Sequence, residues 1–254
     1  MPVPGDKPTN YITSFLFIFI NFIQNPMKKV FTFLFLVAAL NSFAQQGFIV
    51  GAGYSAAWFK TKDIDAFLTS VNAANPGLTT KFETENPYKG YTLSAGSRSE
   101  KSSFLFSYQQ VFSKAKAEGI IPVISTDAGS FEISTRHSSV TLAYDYYLLH
   151  SLAFGGQFGY TYSTIRNRQY ELAFGDSKSV VDKKGGLQAA VNAIIEVPLG
   201  SSVFFQLQPY YMLAFYDMDM DNIAGIYLGQ GNSASTTSDL RGLGIDFRLG
   251  IKIR

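Results

Sequence analysis

The chain has 254 residues, of which 46% are hydrophobic and 15% aromatic, and its formal net charge is +2. It contains no cysteine, which excludes a disulfide framework, a thiolate metal site and a lipid anchor on cysteine. Its charges are balanced and scattered, so the sequence lacks the clustered basic surface of a nucleic-acid-binding protein. We therefore expect a single folded domain that has no nucleic-acid partner.

The N-terminus reads as a targeting segment. A basic start at 27–29 (MKK) is followed by an apolar run over 30–40 and by the small-x-small sequence Ser42-Phe43-Ala44. This order predicts a secretory signal peptide over 27–44, cleaved before Gln45 after export through the general secretory pathway. Translation is then expected to begin at Met27, which makes residues 1–26 an over-extended start. The alternative is an uncleaved hairpin of two short helices, which Pro26 disfavours.

The remaining residues, 45–254, alternate apolar and polar side chains in eight segments, as strands with two different faces do. The last segment is the clearest, because every odd position from Leu243 to Ile253 is apolar whereas the even positions carry only Gly, Asp, Arg or Lys. The eight predicted strands cover residues 47–59, 90–98, 103–113, 134–148, 152–163, 186–197, 203–216 and 240–254.

The connections between these strands alternate in length. Three are tight, at 99–102, 149–151 and 198–202, whereas the four others are long and polar, at 60–89, 114–133, 164–185 and 217–239. Short periplasmic turns alternating with long extracellular loops are typical of outer-membrane barrels. The sequence therefore predicts an all-β fold: an eight-stranded antiparallel up-and-down transmembrane β-barrel in the outer membrane of a Gram-negative cell.

A soluble barrel of the lipocalin kind has the same alternation with its apolar face turned inward. The polar face favours the membrane form, because it is made mainly of small uncharged residues, such as Gly51, Gly53 and Ser55 in the first strand. A face in bulk water usually carries many Lys and Glu residues, whereas the narrow lumen of eight strands admits small groups.

Aromatic residues collect near both ends of the predicted strands. Tyr and Trp prefer the headgroup level of a membrane, because one part of the ring is apolar and the other can hydrogen-bond. An enrichment of aromatics in strands generally is the competing explanation. The predicted girdle at the loop end comprises Trp58, Tyr91, Phe112, Tyr160, Tyr162, Tyr211 and Phe215, and that at the turn end Phe48, Phe104, Tyr144, Tyr146, Phe154 and Phe205.

The signal ending in Phe43-Ala44-Gln45-Gln46, followed by the first strand Phe48-Ile49-Val50-Gly51-Ala52-Gly53-Tyr54-Ser55, resembles the outer-membrane β-barrel (PorT-like) proteins of Bacteroidota. The resemblance implies a barrel that takes part in a secretion assembly. The last strand is similar to the signal read by the barrel-assembly machinery, through Gly244, Phe247 and Leu249. It departs from that signal by running on to Arg254 instead of closing on an aromatic residue.

Charged residues on the predicted inward face must be paired, because an isolated buried charge is costly. We expect an ion-pair layer that plugs the lumen, in which Glu196 and Asp145 meet Arg98 and the basic residues of the last strand. A gated narrow pore is the alternative. The expected layer comprises Arg98, Asp145, Glu196, Asp246, Arg248, Lys252 and Arg254.

Three further features of the sequence are candidates for a site. His137 and Ser139 lie on one strand face and are similar to the His/Ser pair of outer-membrane lipid A deacylases, but no carboxylate is placed to orient the base. Asp217, Asp219 and Asp221 have the spacing of a calcium loop, whereas Asn222 and Leu228 stand where an EF-hand needs Gly and Glu. Ile64, Phe67, Leu68 and Val71 recur at helical spacing and predict a short amphipathic helix over the barrel mouth or on the outer leaflet.

We therefore expect a non-enzymatic barrel with no cofactor and no metal, surrounded by outer-membrane lipid and inserted by the barrel-assembly machinery. Loops 60–89 and 217–239 are the expected binding sites for a partner protein, a glycan or a secretion-assembly component, since loops on a rigid scaffold commonly carry function. A lipid-modifying enzyme that uses His137 and Ser139 is the alternative, and a narrow small-solute channel is a third class.

Overall fold

The structure is a computed structural model that describes residues 47–60, 62–171, 175–219, 221–229 and 237–253. The side chains of residues 62–63, 171, 217–219 and 237–239 are not described. The predicted over-extended start (1–26), the predicted signal peptide (27–44) and Arg254 lie outside the described residues.

The described chain forms nine strands and two helices. The strands are β1 (Phe48–Phe59), β2 (Leu78–Thr80), β3 (Tyr88–Arg98), β4 (Ser102–Gly119), β5 (Gly129–Leu149), β6 (Leu152–Glu171), β7 (Gly175–Pro198), β8 (Val203–Asp219) and β9 (Thr237–Ile253), and the helices are α1 (Lys62–Ala74) and α2 (Asp221–Leu228).

Eight of these strands close into a ring. Each pairs antiparallel with its neighbour in the order β1-β3-β4-β5-β6-β7-β8-β9, and β9 returns to pair with β1 from Phe48↔Ile253 to Phe59↔Gly242. The predicted eight-stranded up-and-down barrel is therefore confirmed. The ninth strand, β2, is a short addition that pairs only with the far end of β4.

The two faces of each strand follow the predicted alternation. On β9, Leu243, Phe247, Leu249, Ile251 and Ile253 are exposed on the outside of the barrel, whereas Gly244, Asp246 and Arg248 are buried inside. This arrangement puts the polar face in the lumen and the apolar face outward, which is the reverse of a lipocalin-like barrel. Since a one-residue slip would exchange the faces, the pattern also fixes the register.

Several strands are much longer than predicted at the end of the barrel that carries the long connections, here called the loop end; the opposite end is the turn end. The connections predicted at 114–133 and 164–185 are wrong, because most of their residues continue β4, β5, β6 and β7. The charged outward residues, such as Lys114 and Glu132, suggest a loop. The inward residues between them, such as Ala115 and Ile133, are buried and continue the strand pattern.

The residues 113–119, 129–136, 164–171 and 175–184 of these four strands are called the extension. A barrel strand needs about 9 to 11 residues to cross a bilayer, whereas β5, β6 and β7 have 21, 20 and 24 residues. Roughly half of each strand therefore stands beyond the length that a membrane would cover.

The predicted helix in the first connection is α1, and its predicted apolar face points into the barrel mouth: Ile64, Phe67, Leu68 and Val71 are all buried. A second helix, α2, was not predicted, and it buries Ile223, Ala224 and Tyr227. Both helices contribute to one apolar cluster with the inward residues of the extension. Neither helix has the length and hydropathy that crossing a bilayer would require.

Candidate functional site

Most of the buried polar side chains lie in the lumen. At the turn end of the lumen they include an ion pair. Arg98 on β3 reaches across the barrel to Glu196 on β7, the strand opposite, and the side chains are only 10% and 11% exposed. Glu196 also accepts a 2.9 Å hydrogen bond from Gln206. The Arg98 guanidinium lies 4.0 Å from the centroid of the Tyr147 ring and donates to the His150 carbonyl at 3.2 Å. These contacts hold both charges and close the turn end.

Asp145 lies in the same region but has a different set of partners from those expected. Its carboxylate accepts hydrogen bonds from Ser103 at 3.0 Å and from Asn192 at 2.7 Å, and no described cation lies within ion-pair distance of it. Lys252 is half-buried on the inward face of β9 and has no ion-pair partner among the described residues. The expected charge layer therefore forms around Arg98 and Glu196, without Lys252.

A second polar layer fills the middle of the lumen. Arg248 and Asp246, two positions apart on β9, form an ion pair of 2.7 Å, and both side chains are almost fully buried. Ser55 donates to Asp246 at 2.6 Å, and Gln109 donates to Asp246 at 3.0 Å and to Tyr210 at 2.9 Å. This network links four strands around the ring and leaves a cavity of about 10 Å³ beside it, which is space for a single water molecule.

Two glycines of β9 are explained by this packing. The Tyr210 ring covers Gly244, and the Phe204 ring covers Gly250, so that a Cβ atom at either position would overlap the ring. Gly244 therefore faces the lumen, whereas Phe247 and Leu249, the other residues of the predicted assembly signal, lie on the outer face.

His137 is buried in the lumen toward the loop end. Its Nδ1 lies 2.6 Å from the Ser163 hydroxyl on β6, and Ser163 in turn hydrogen-bonds Tyr216. The imidazole packs against the rings of Phe59 and Tyr88, with centroids 5.0 and 5.2 Å away. Ser139, the predicted partner, is buried on the same face of β5 but forms no hydrogen bond with His137. The structure thus pairs His137 with a serine that the sequence analysis missed, because β6 meets β5 only after folding.

An apolar cluster on the loop-end side of His137 closes that end of the barrel. Tyr227 of α2 is at its centre: its ring packs against Phe82 at 5.5 Å and Phe131 at 6.4 Å. Its hydroxyl donates to Asn167 at 2.6 Å. Burial raises the pKa of Tyr227 far above the usual range of a phenol. The loop-end cap consists of cluster residues from α1, α2 and the extension, together with Phe82 from the connection between β2 and β3: Ile64, Phe67, Leu68, Val71, Phe82, Phe131, Ile133, Ile165, Ile223, Ala224 and Tyr227.

The described lumen is therefore closed twice, by apolar packing at the loop end and by the ion pair at the turn end. Its potential nucleophiles, Ser139 and Ser163, are each at most 5% exposed, so a substrate has no route to them in this state. The described residues hold no group of three or more acidic or histidine side chains that could bind a metal ion. Asp217 and Asp219 are part of β8 and Asp221 begins α2, so the acidic run does not form a single loop.

The outer surface carries the aromatic residues predicted for the loop-end girdle. Trp58, Tyr91, Phe112, Tyr162 and Phe215 are exposed on the outside, and Tyr160 and Tyr211 are partly exposed there. Phe48, Tyr144, Tyr146 and Phe154 are exposed toward the turn end. Between the two groups the outward residues are apolar, as Leu93, Phe158, Leu187 and Val191 illustrate. The barrel thus has an apolar band bounded by two sets of aromatic rings.

No family model matches the chain, and no curated protein matches it. Among solved structures, it is similar to Ail, the attachment invasion locus protein of Yersinia pestis, crystallised with the heparin analogue sucrose octasulfate (TM-score 0.44, 11% identity, 82% of this chain and 100% of that chain). It is also similar to the outer membrane protein OprG from Pseudomonas aeruginosa (TM-score 0.42, 12% identity, 83% and 97%) and to Neisserial surface protein A (TM-score 0.35, 14% identity, 81% and 97%). Overlap and identity this low carry no information about what the chain binds.

Proposed function

We propose that this protein is an integral outer-membrane β-barrel that neither catalyses a reaction nor conducts solutes, and that it presents its loop-end surface to a partner. Membrane insertion is supported by the apolar outer band and its two aromatic girdles. In plain water the same band would be an exposed apolar surface far larger than soluble monomers carry.

The single observation that carries the proposal is the double closure of the lumen. Arg98 and Glu196 fill the turn end, and the loop-end cap fills the other, so the interior serves as a packed core. Porins of more strands leave an aqueous channel, whereas eight strands enclose space that side chains can fill. The surface available to a partner is then the outside of the barrel, where the extension and the loops project.

The extension is the surface best suited to a partner. Its inner side is held by the loop-end cap, so that it is a rigid sheet rather than a set of independent loops. Its outer side exposes Tyr170 and Val180 beside the ion-paired Arg168 and Asp176. A fixed surface with aromatic and arginine side chains is favourable for binding, because little side-chain entropy is lost on contact.

The resemblance to PorT-like proteins supports a component of a secretion assembly as the partner, and a surface glycan is the competing ligand. A lipid-modifying activity is disfavoured by the burial of His137 and of both neighbouring serines. Lipid A mass spectrometry tests that alternative: an acyl-chain change that depends on the protein and disappears in His137→Ala and Ser163→Ala would support an enzyme and contradict our proposal.

The direct test of the proposal uses the purified protein in planar lipid bilayers and in outer membranes. We expect no steady conductance, and we expect cross-linking from Tyr170, replaced by a photo-reactive aromatic residue, to give a discrete adduct on intact cells. The same replacement at the buried Tyr227 is the control and should give no intermolecular adduct. Steady conductance, or equal adducts from both positions, would contradict the proposal.

A further inference from the structure

A group of basic side chains lies on the outer face of the barrel, at the base of the extension. Arg136 on β5 and Lys183 on β7 are both register partners of Thr164 on β6, one on each side. Arg166 lies on the same face as Thr164, two residues further toward the loop end. These three cations, Arg136, Arg166 and Lys183, surround Thr164 and are called the basic triad. Lys89 on β3 lies in the same row, because Phe112 on β4 is the register partner of both Lys89 and Arg136.

The geometry of the triad follows from the sheet. Neighbouring strands are about 4.8 Å apart and successive same-face residues about 6.8 Å apart. Each long side chain of the triad therefore starts within roughly 10 Å of the other two, and all three can reach one point above Thr164. Arginine and lysine side chains that meet in this way bind phosphate oxygens well, since the guanidinium can donate two hydrogen bonds at once.

The triad is not neutralised by the protein itself. Within the described part of the chain, none of its three side chains has a carboxylate within ion-pair distance. Neighbouring basic residues on the same face differ in this respect: Lys114 and Lys116 contact Glu132, and Arg168 and Lys178 contact Asp176. Three unpaired like charges held together repel one another, and a bound anion would relieve that repulsion.

The position of the triad on the barrel indicates which anion it would bind. Toward the turn end, the next outward row contains Tyr162, and the rows after it contain Val140, Leu187, Leu142 and Phe158. The triad thus lies about 7 Å along β6 from Tyr162 of the loop-end girdle and in the same row as Phe112, where the headgroups of the outer leaflet would be. On the opposite side of the barrel, Leu213, Phe215, Leu243 and Trp58 present an apolar surface at this end. The basic residues Arg241, the register partner of Leu213, and Lys60 are also exposed on that side, so what distinguishes the β5–β7 side is the gathering of three basic side chains around one residue.

We propose that the basic triad binds a phosphate of a phosphorylated glycolipid in the outer leaflet, whose acyl chains lie along Val140, Leu142, Phe158 and Leu187. The inference rests on the proposed outer-membrane location. Basic residues near a membrane surface each favour anionic lipid by an amount equal to about fivefold in affinity. The bound lipid fixes the height and rotation of the barrel, and with them the orientation of the extension.

The test uses the mature protein reconstituted in phosphatidylcholine nanodiscs that contain diphosphorylated lipid A or its dephosphorylated form, with retained lipid counted by native mass spectrometry. The wild type should retain the phosphorylated form preferentially. Arg136→Gln/Arg166→Gln should lower that preference about 25-fold, whereas Arg136→Lys/Arg166→Lys, which keeps the charge, should lower it far less. Lys116→Gln/Lys178→Gln removes the same charge from ion-paired positions of the same face and should leave the preference unchanged.

Equal retention of the two lipids by the wild type, or equal losses in the two glutamine variants, would overturn the inference. Displacement of the lipid by millimolar inorganic phosphate would also overturn it, in favour of a site for free phosphate. Insertion is measured separately through Trp58, the only tryptophan. If Trp58 is not shielded by lipid, the proposed location fails; if it is shielded and the lipids are retained equally, only the triad inference fails.

Discussion

The ion pair at the turn end offers the sharpest test of how the lumen is stabilised, through the isosteric change Glu196→Gln. In the folded protein Arg98 would keep its contacts with the Tyr147 ring and the His150 carbonyl but lose its only ion-pair partner among the described residues. Removing one partner of a buried ion pair costs about 3 to 5 kcal/mol.

We expect a value near the lower limit, about 3 kcal/mol, because the amide oxygen of glutamine can still accept a hydrogen bond from Arg98. At about 1.4 kcal/mol per factor of ten, this corresponds to a shift of roughly a hundredfold in the unfolding equilibrium. The assay is urea unfolding in lipid vesicles, followed by the fluorescence of Trp58. A loss of this size should lower the urea midpoint without changing the slope of the transition.

Two matched variants make the result interpretable. Asp176→Asn makes the same acid-to-amide change in an ion pair with Arg168, but that pair is exposed, so the midpoint should stay close to that of the wild type. The double variant Arg98→Met/Glu196→Met removes both charges and should be more stable than Glu196→Gln, since no buried charge is left alone. The reasoning is falsified if Glu196→Gln and Asp176→Asn shift the midpoint equally.

Three further predictions concern the loop end. Phe67→Ala should destabilise the protein by about 3 to 5 kcal/mol, because Phe67 is 1% exposed in the loop-end cap and the change leaves a cavity; a loss below 1 kcal/mol in urea unfolding would mean that the cap is not packed. Ser163→Ala should lower the free energy of unfolding by about 1 to 3 kcal/mol, since it leaves His137 and Tyr216 without their shared hydroxyl. Ser139→Ala breaks no hydrogen bond to His137 and should lower it less; the reverse order would refute the observed pairing. Hydrogen bonds from Arg168 and then Lys178 lower the pKa of Asp176 to about 2. Since this pKa is depressed in the folded state, the small contribution of this exposed carboxylate to stability should be present above the ordinary pKa of an aspartate and be lost as the pH falls toward 2, and a carboxyl NMR titration with a midpoint near 4 would contradict the lowered pKa.

Barrel closure, and which side chains of each strand face inward or outward, could be predicted from the sequence. Both predictions rest on the alternation of apolar and polar residues, which is clear over residues 240–253. The choice of partners inside the lumen did not. Arg98 and Glu196 lie on opposite strands of the ring, and Ser55, Gln109, Tyr210 and Asp246 come from four strands. Which inward residues meet across the lumen depends on the stagger of the barrel, and this is set by all eight registers together.

The extension was missed for a related reason. In the extension the two faces are reversed relative to the rest of the barrel, because many outward residues are charged and inward residues such as Ala115 and Ile133 are apolar. The sequence of a single strand does not show what covers such an inward face. Ala115, Ile133 and Ile165 are buried in one apolar cluster with residues of α1 and α2. The helix α1 was visible through the spacing of Ile64, Phe67, Leu68 and Val71, whereas α2 has just eight residues and too few turns to show a helical period.

The outward apolar band must touch lipid if the protein is an outer-membrane barrel. Trp58 lies at the loop-end edge of that band and is 44% exposed in the isolated protein, so its fluorescence reports directly on what surrounds it. We would reconstitute the protein with lipids brominated either near the glycerol or deep in the acyl chains. A matched variant, Trp58→Phe/Phe158→Trp, moves the reporter to the middle of the band.

We predict that Trp58 is quenched most by the shallow bromines and that tryptophan at position 158 is quenched most by the deep ones. A reporter at the inward position 204, made as Trp58→Phe/Phe204→Trp, should be quenched by neither. Quenching at position 204, or none at positions 58 and 158, would show that the faces are reversed or that the barrel does not enter the membrane.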